Sequence, residues 1–166
     1  MKKYRSTIAR ILVLAALIPV FGCGGDSDSP SGLPNFSGLW DIRYNFNSDE
    51  CRIVLGGVPG FVDQHEITQD GGAVTLVSQS GLIGEGSGAQ REDGSITAEE
   101  TVEGDIFGVG VPCELYTGIT YNSLSTKSSD GAGDTAQSIF VQTIECADGY
   151  VCESQAVGSA VRQPTL

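Results

Sequence analysis

The chain is poor in histidine, with one in 166 residues, and holds one Trp and one Met. A lone imidazole narrows the catalytic options. Positive charge is scarce as well: nine Lys and Arg stand against 21 Asp and Glu, for a net charge of −12. Four of the bases, Lys2, Lys3, Arg5 and Arg10, lie in the first ten residues, which carry no acid. From Cys23 onward the net charge is about −16. That excludes a nucleic-acid binder and a peripheral binder of anionic lipid, because both need a basic surface. No pair of thiols has the two-to-four-residue spacing of a zinc site. Gly is abundant at 23, but with six Pro the sum stays below the fraction that marks low-complexity disorder. Leu, Ile, Val and Phe are numerous enough past residue 22 to build a core, so full disorder is excluded.

What is present begins with a leader. Met1 to Arg10 is basic, and Ile11 to Phe21 is unbroken apolar or small. Eleven residues at 1.5 Å each span about 16 Å, roughly half a bilayer core, so a signal peptide is the stronger reading and an uncleaved anchor the weaker. Val20-Phe21-Gly22-Cys23 resembles the lipobox of bacterial lipoproteins. That resemblance implies cleavage before Cys23 and lipidation of Cys23, with a palmitate-bearing N-terminus as the membrane partner. The residue after the cysteine is Gly24 rather than Asp, which in the Gram-negative members implies the outer membrane. An ordinary secretory signal is the competing reading. Residues 23–34 are Gly-, Ser-, Asp- and Pro-rich and read as a flexible tether. Residues 35–166 then form one domain.

Four cysteines remain: Cys51, Cys113, Cys146 and Cys152. An even number in an exported chain predicts two disulfides. Cys146 and Cys152 flank a turn centred on Asp148-Gly149. A hairpin there predicts a Cys146–Cys152 pair and leaves Cys51–Cys113.

The domain reads as strands punctuated by turns. Trp40, Ile42, Tyr44 and Phe46 alternate with polar residues at period two. Further runs are 51–55, 61–68, 73–79, 82–90, 95–103, 113–125, 135–146 and 151–162. Asp-Gly and Gly-Gly pairs between them supply the positive φ that tight hairpins need. Nine short runs without helical periodicity predict an all-β, antiparallel up-and-down barrel of about eight strands, closed so that no edge is exposed. A β-sandwich is the alternative, but it needs longer crossovers than these.

Gly38-Leu39-Trp40 opens the first strand with Gly-x-Trp, which resembles the start of lipocalins and other calycin-type barrels. In those families the Trp closes one end of the barrel and a late Arg packs over it. The resemblance assigns these roles to Trp40 and Arg162, the latter as a cation–π partner.

Catalytic constellations are weak. No Ser has Gly at both −2 and +2, so there is no nucleophile elbow. His65 shares a strand face with Asp63 and Ile67, which makes Asp63 a potential orienting acid, although an ordinary polar strand residue is the commoner case. Glu99, Glu100, Glu103 and Asp105 are the densest carboxylates, yet Glu99 and Glu100 point to opposite faces. Asp130 and Asp134, and Asp26 and Asp28, place oxygen ligands on flexible backbone without a complete calcium loop. We therefore expect no catalytic residues, no metal and no cofactor. The expected function is a lipid-anchored envelope protein that binds a small or apolar ligand. The alternative is a structural or interaction protein of the envelope with a filled barrel. Gly84, Gly86 and Gly88 bear on the choice, since small residues on an inward face leave room for a ligand.

Overall fold

A computed structural model describes residues 33–51, 59–81 and 83–164. Cys23, the leader and tether residues 24–32 lie outside the described residues. Eight strands follow one another in chain order: β1 Gly38–Asp49, β2 Gly60–Asp70, β3 Ala73–Ser78, β4 Gly86–Gln90, β5 Ile96–Gly104, β6 Cys113–Ser125, β7 Thr135–Cys146 and β8 Val151–Arg162. Each pairs antiparallel with the next, and β8 returns to pair with β1, so the sheet is a closed up-and-down barrel. This closed eight-stranded barrel is consistent with a lipocalin-like small barrel.

Local chemistry explains the connections. β2 and β3 are joined by Gly71-Gly72, with Gly71 at φ 59°, a conformation that costs glycine nothing. Closure also needs curvature. The β1–β8 ladder shifts register between Phe46 and Ser48, and the β6–β7 ladder between Asn122 and Ser125. Such bulges bend a strand and raise its twist. The 82–90 run is a strand only over Gly86–Gln90, and in the 51–55 run Cys51 is not in a strand while residues 52–58 lie outside the described residues.

Alternation places one side chain in two inside. β8 shows this most regularly: Cys152, Ser154, Ala156, Gly158 and Ala160 are all buried. The larger core cluster joins Phe36, Trp40, Tyr44, Ile67, Leu76, Ile96, Ile119, Tyr121 and Phe140. A smaller one gathers Ile144 and the cysteines at the other end, with Ile106 and Phe107 of the β5–β6 loop packed on it. We call the end where Phe36 enters and Arg162 leaves the basal end, and the opposite end distal.

The disulfides differ from the hairpin expectation. Cys113 pairs with Cys146, and Cys51 with Cys152. Register is the reason. Cys113 and Cys146 are direct cross-strand partners on β6 and β7, with Cα atoms 4.0 Å apart. Within the β7–β8 hairpin, Cys152 faces Ile144 instead, two residues out of step with Cys146. Cys51 follows β1, whose neighbours are β2 and β8, so Cys152 at the start of β8 is in reach and Cys113 on β6 is not.

Candidate functional site

The basal end is closed by aromatic packing. Phe36, Trp40 and Tyr121 form a triangle with ring centroids 5.6–6.2 Å apart. The Trp40 indole N–H donates to the Phe36 carbonyl at 2.7 Å. Trp40 and Arg162 are register partners on β1 and β8, and the guanidinium carbon lies 4.8 Å from the centre of the Trp40 ring. Arg162 also donates to the Asn35 carbonyl and pairs with Asp134 at 3.7 Å. Asp134 accepts in turn from the Lys127 amide at 2.7 Å, and Asp130 from the Ala132 amide at 3.1 Å. These carboxylates fold their own loop and anchor Arg162.

A polar network crosses the barrel above that plug. Asp63 and His65 both point inward from β2, and both side chains are fully buried. The Asp63 carboxylate accepts from His65 Nε2 at 3.0 Å, Ser78 Oγ at 2.6 Å, and the Gln64 and Ser80 amides at 2.7 and 3.0 Å. Burial alone would raise its pKa. Hydrogen bonds from His65 and Ser78, with the neighbouring imidazole charge, overcome that and pull it down to about 2. His65 Nδ1 meets the Tyr121 hydroxyl at 2.9 Å, and Tyr44 meets Ser138 Oγ at 2.5 Å. Burial pushes both phenols above their usual range. Both ring nitrogens of His65 are thus partnered, Nε2 with Asp63 and Nδ1 with Tyr121.

The order of groups here is Tyr–His–Asp and Ser–Asp–His. Ser78 donates to the carboxylate rather than to the imidazole, so no serine hydroxyl is activated by His65. His65 is 0% exposed, as are Tyr121 and Ser138. A substrate has no surface on which to meet them. The period-two pattern shows that Asp63 and His65 share a face. Their side-chain partners Ser78 and Tyr121 come from β3 and β6, and only strand register places them together.

The glutamates of β5 separate as their parity requires. Glu99 is exposed on the outside and sits near Tyr116, whose pKa it helps burial to raise. Glu100 accepts the Gly84 amide at 2.7 Å and the Glu85 amide at 3.5 Å, holding the β3–β4 loop. Asp105 caps its own loop through the Val109 and Gly110 amides.

No protein-family model matches this sequence, and no curated protein aligns with it.

The interior answers the question posed by the glycines. A Cβ on Gly86 would fall 2.4 Å from Ile83 Cδ1, so the side chain of Ile83 already occupies that space. On β8, a Cβ on Gly158 would meet Ile42 at 2.7 Å and Tyr44 at 2.8 Å. Gly84 is exposed and lies outside the strand. Gly86 and Gly158 make room for neighbouring aromatic and branched side chains. An open concavity of about 810 Å³ lies on the outer surface of β8, β1 and β2, beside Arg43, Val62, Gln64, Ser80 and Val161. Gln64 donates to Asp41 across its floor at 2.7 Å.

Proposed function

We propose that this chain is a non-enzymatic lipoprotein of the cell envelope, anchored through Cys23, whose barrel is a filled scaffold presenting its surface to a partner. The observation that carries this reading is the packed interior. Trp40, Tyr44, Tyr121, Phe36 and Phe140 are 0–1% exposed, and the inward glycines are backed by protein atoms. A barrel that held a small apolar ligand would keep a space there instead. The anchor is supported by the leader, the Val20–Cys23 motif and the tether composition of residues 23–34. The two disulfides fit an oxidising compartment.

Native mass spectrometry of the protein taken from its own membrane tests both parts. The expected result is a lipid mass on Cys23 and no retained small molecule. A stoichiometric retained ligand would overturn the filled-barrel reading in favour of a ligand carrier. Cys23→Ser should release the protein to the soluble envelope fraction; a Ser variant that still sediments with membranes refutes the anchor.

A further inference from the structure

We propose that the distal rim of the barrel is a docking surface for a cationic polypeptide with an apolar centre. This deepens the interaction reading above and rests on it. Two adjacent hairpins build the rim. The Ala147 amide donates to the Pro112 carbonyl at 3.0 Å, tying the β7–β8 turn to the β5–β6 loop. Phe107 and Tyr150 meet edge to face with centroids 6.0 Å apart. Around that contact Val109 is 68% exposed, Val151 61% and Tyr150 37%. Three of the six large apolar side chains exposed among the described residues therefore lie on these two neighbouring tips.

Charge selects the occupant. Exposed Glu103, Asp105, Glu114, Glu145, Asp148 and Glu153 surround the tips. Every described Lys or Arg is elsewhere: Arg91, Lys127 and Arg162 at the basal end, and Arg43 within β1. Glu103, Glu114 and Glu145 are direct cross-strand partners in one row over β5, β6 and β7. Like charges placed opposite one another destabilise a sheet, and a bound cation relieves that cost. An anionic bilayer and a second copy of this rim would both add repulsion. The chain also enters the fold at the basal end, so the distal rim lies at the end of the barrel opposite the tether.

The test uses the full-length protein in detergent and three labelled octapeptides, read by fluorescence anisotropy. One has a Leu-Val-Phe-Val centre with two Lys at each end. The second replaces the Lys by Glu, and the third replaces the centre by Ser and Gly. Only the first should bind well, and added salt should weaken it. Val109→Ser with Val151→Ser should reduce its affinity about tenfold. Val62→Ser with Val161→Ser, on the outer concavity, should leave it unchanged. All four positions are exposed, so an unaltered unfolding midpoint certifies the fold. Equal binding of the Ser/Gly peptide, indifference to the rim variants, or rim-dependent self-association would each overturn the proposal. The outcomes separate from those of the filled-barrel reading. A retained ligand alongside rim-dependent peptide binding overturns that reading and keeps the rim, whereas no retained ligand with no peptide binding does the reverse.

Discussion

Asp63→Asn should be among the most damaging single-atom changes available to this barrel. The carboxylate is buried, carries a charge, and accepts four hydrogen bonds, from His65, Ser78 and two backbone amides. An amide in its place offers one acceptor oxygen and turns two N–H groups toward other donors. Buried donors then go unsatisfied, and removing one member of a buried pair typically costs about 3–5 kcal/mol. The depressed pKa rests on the same hydrogen bonds and points the same way. A carboxyl at about 2 in the folded protein, against an ordinary 3.8, contributes at most about 2 kcal/mol once solvent screening is allowed for. The folded value is depressed, so this stability is fully present above pH 4. It is lost as the pH falls from there through about 2.

Urea unfolding with the disulfides intact measures both. Trp40, the single Trp and 0% exposed, reports the transition. Wild type minus Asp63→Asn should show a stability difference of about 3–5 kcal/mol at pH 7 that shrinks between pH 4 and 2. Subtracting the variant removes the other carboxylates from the comparison. Pairing Asp63→Val with His65→Leu should cost less than the sum of the two single changes, because contacting residues couple and an apolar pair leaves no orphaned charge. A loss below about 1 kcal/mol for Asp63→Asn, or a difference independent of pH below 4, refutes the assignment of this network as a buried anionic centre.

The remaining predictions concern closure. Non-reducing peptide mapping should join Cys51 to Cys152 and Cys113 to Cys146; a Cys146–Cys152 peptide would contradict the register of β7 and β8. On chain-entropy grounds, removing the bridge that spans 101 residues should cost about 4.7 kcal/mol and the one that spans 33 about 3.7 kcal/mol, measured by urea unfolding of the paired Ala variants. Trp40→Ala should cost about 3–5 kcal/mol and Arg162→Ala about 1–2 kcal/mol. A double-mutant cycle should find the two non-additive; zero coupling would mean that the guanidinium gains nothing from the indole face.

Period two and turn chemistry carry most of the fold. The runs at 113–125, 135–146 and 151–162 are strands at those very limits, with Pro112, Gly133 and Asp148-Gly149 standing shortly before their first residues. β4 is shorter than its run because Gly84 and Glu85 are drawn off the ladder: their amides bond to the Glu100 carboxylate, a side chain on β5. Local pattern has no access to such a partner. The same holds for the cysteines. A turn sequence places two strands side by side but leaves their stagger open, and a stagger of two residues decides which cysteine Cys146 faces.

The interior extends this argument from covalent bonds to polar ones. Asp63 and His65 are visible in the sequence as neighbours on a strand, and that pattern equally describes a solvated face or a catalytic pair. What decides is which residues β3, β6 and β7 bring opposite them. Ser78 is the direct partner of His65 across β2 and β3, while Tyr121 and Ser138 are partners of one another across β6 and β7. Strand order then sets the two pairs across the barrel, where the ring nitrogen of His65 meets the Tyr121 hydroxyl. A slip of one residue in any of these ladders would turn an acid, an imidazole or a phenol out to solvent and bring its outward neighbour inside. Each such slip costs the unmet hydrogen bonds of every group left behind. The buried polar chain thus penalises wrong registers more sharply than aliphatic packing does, and the register it enforces is the one that brings Cys113 to Cys146 and Cys51 to Cys152.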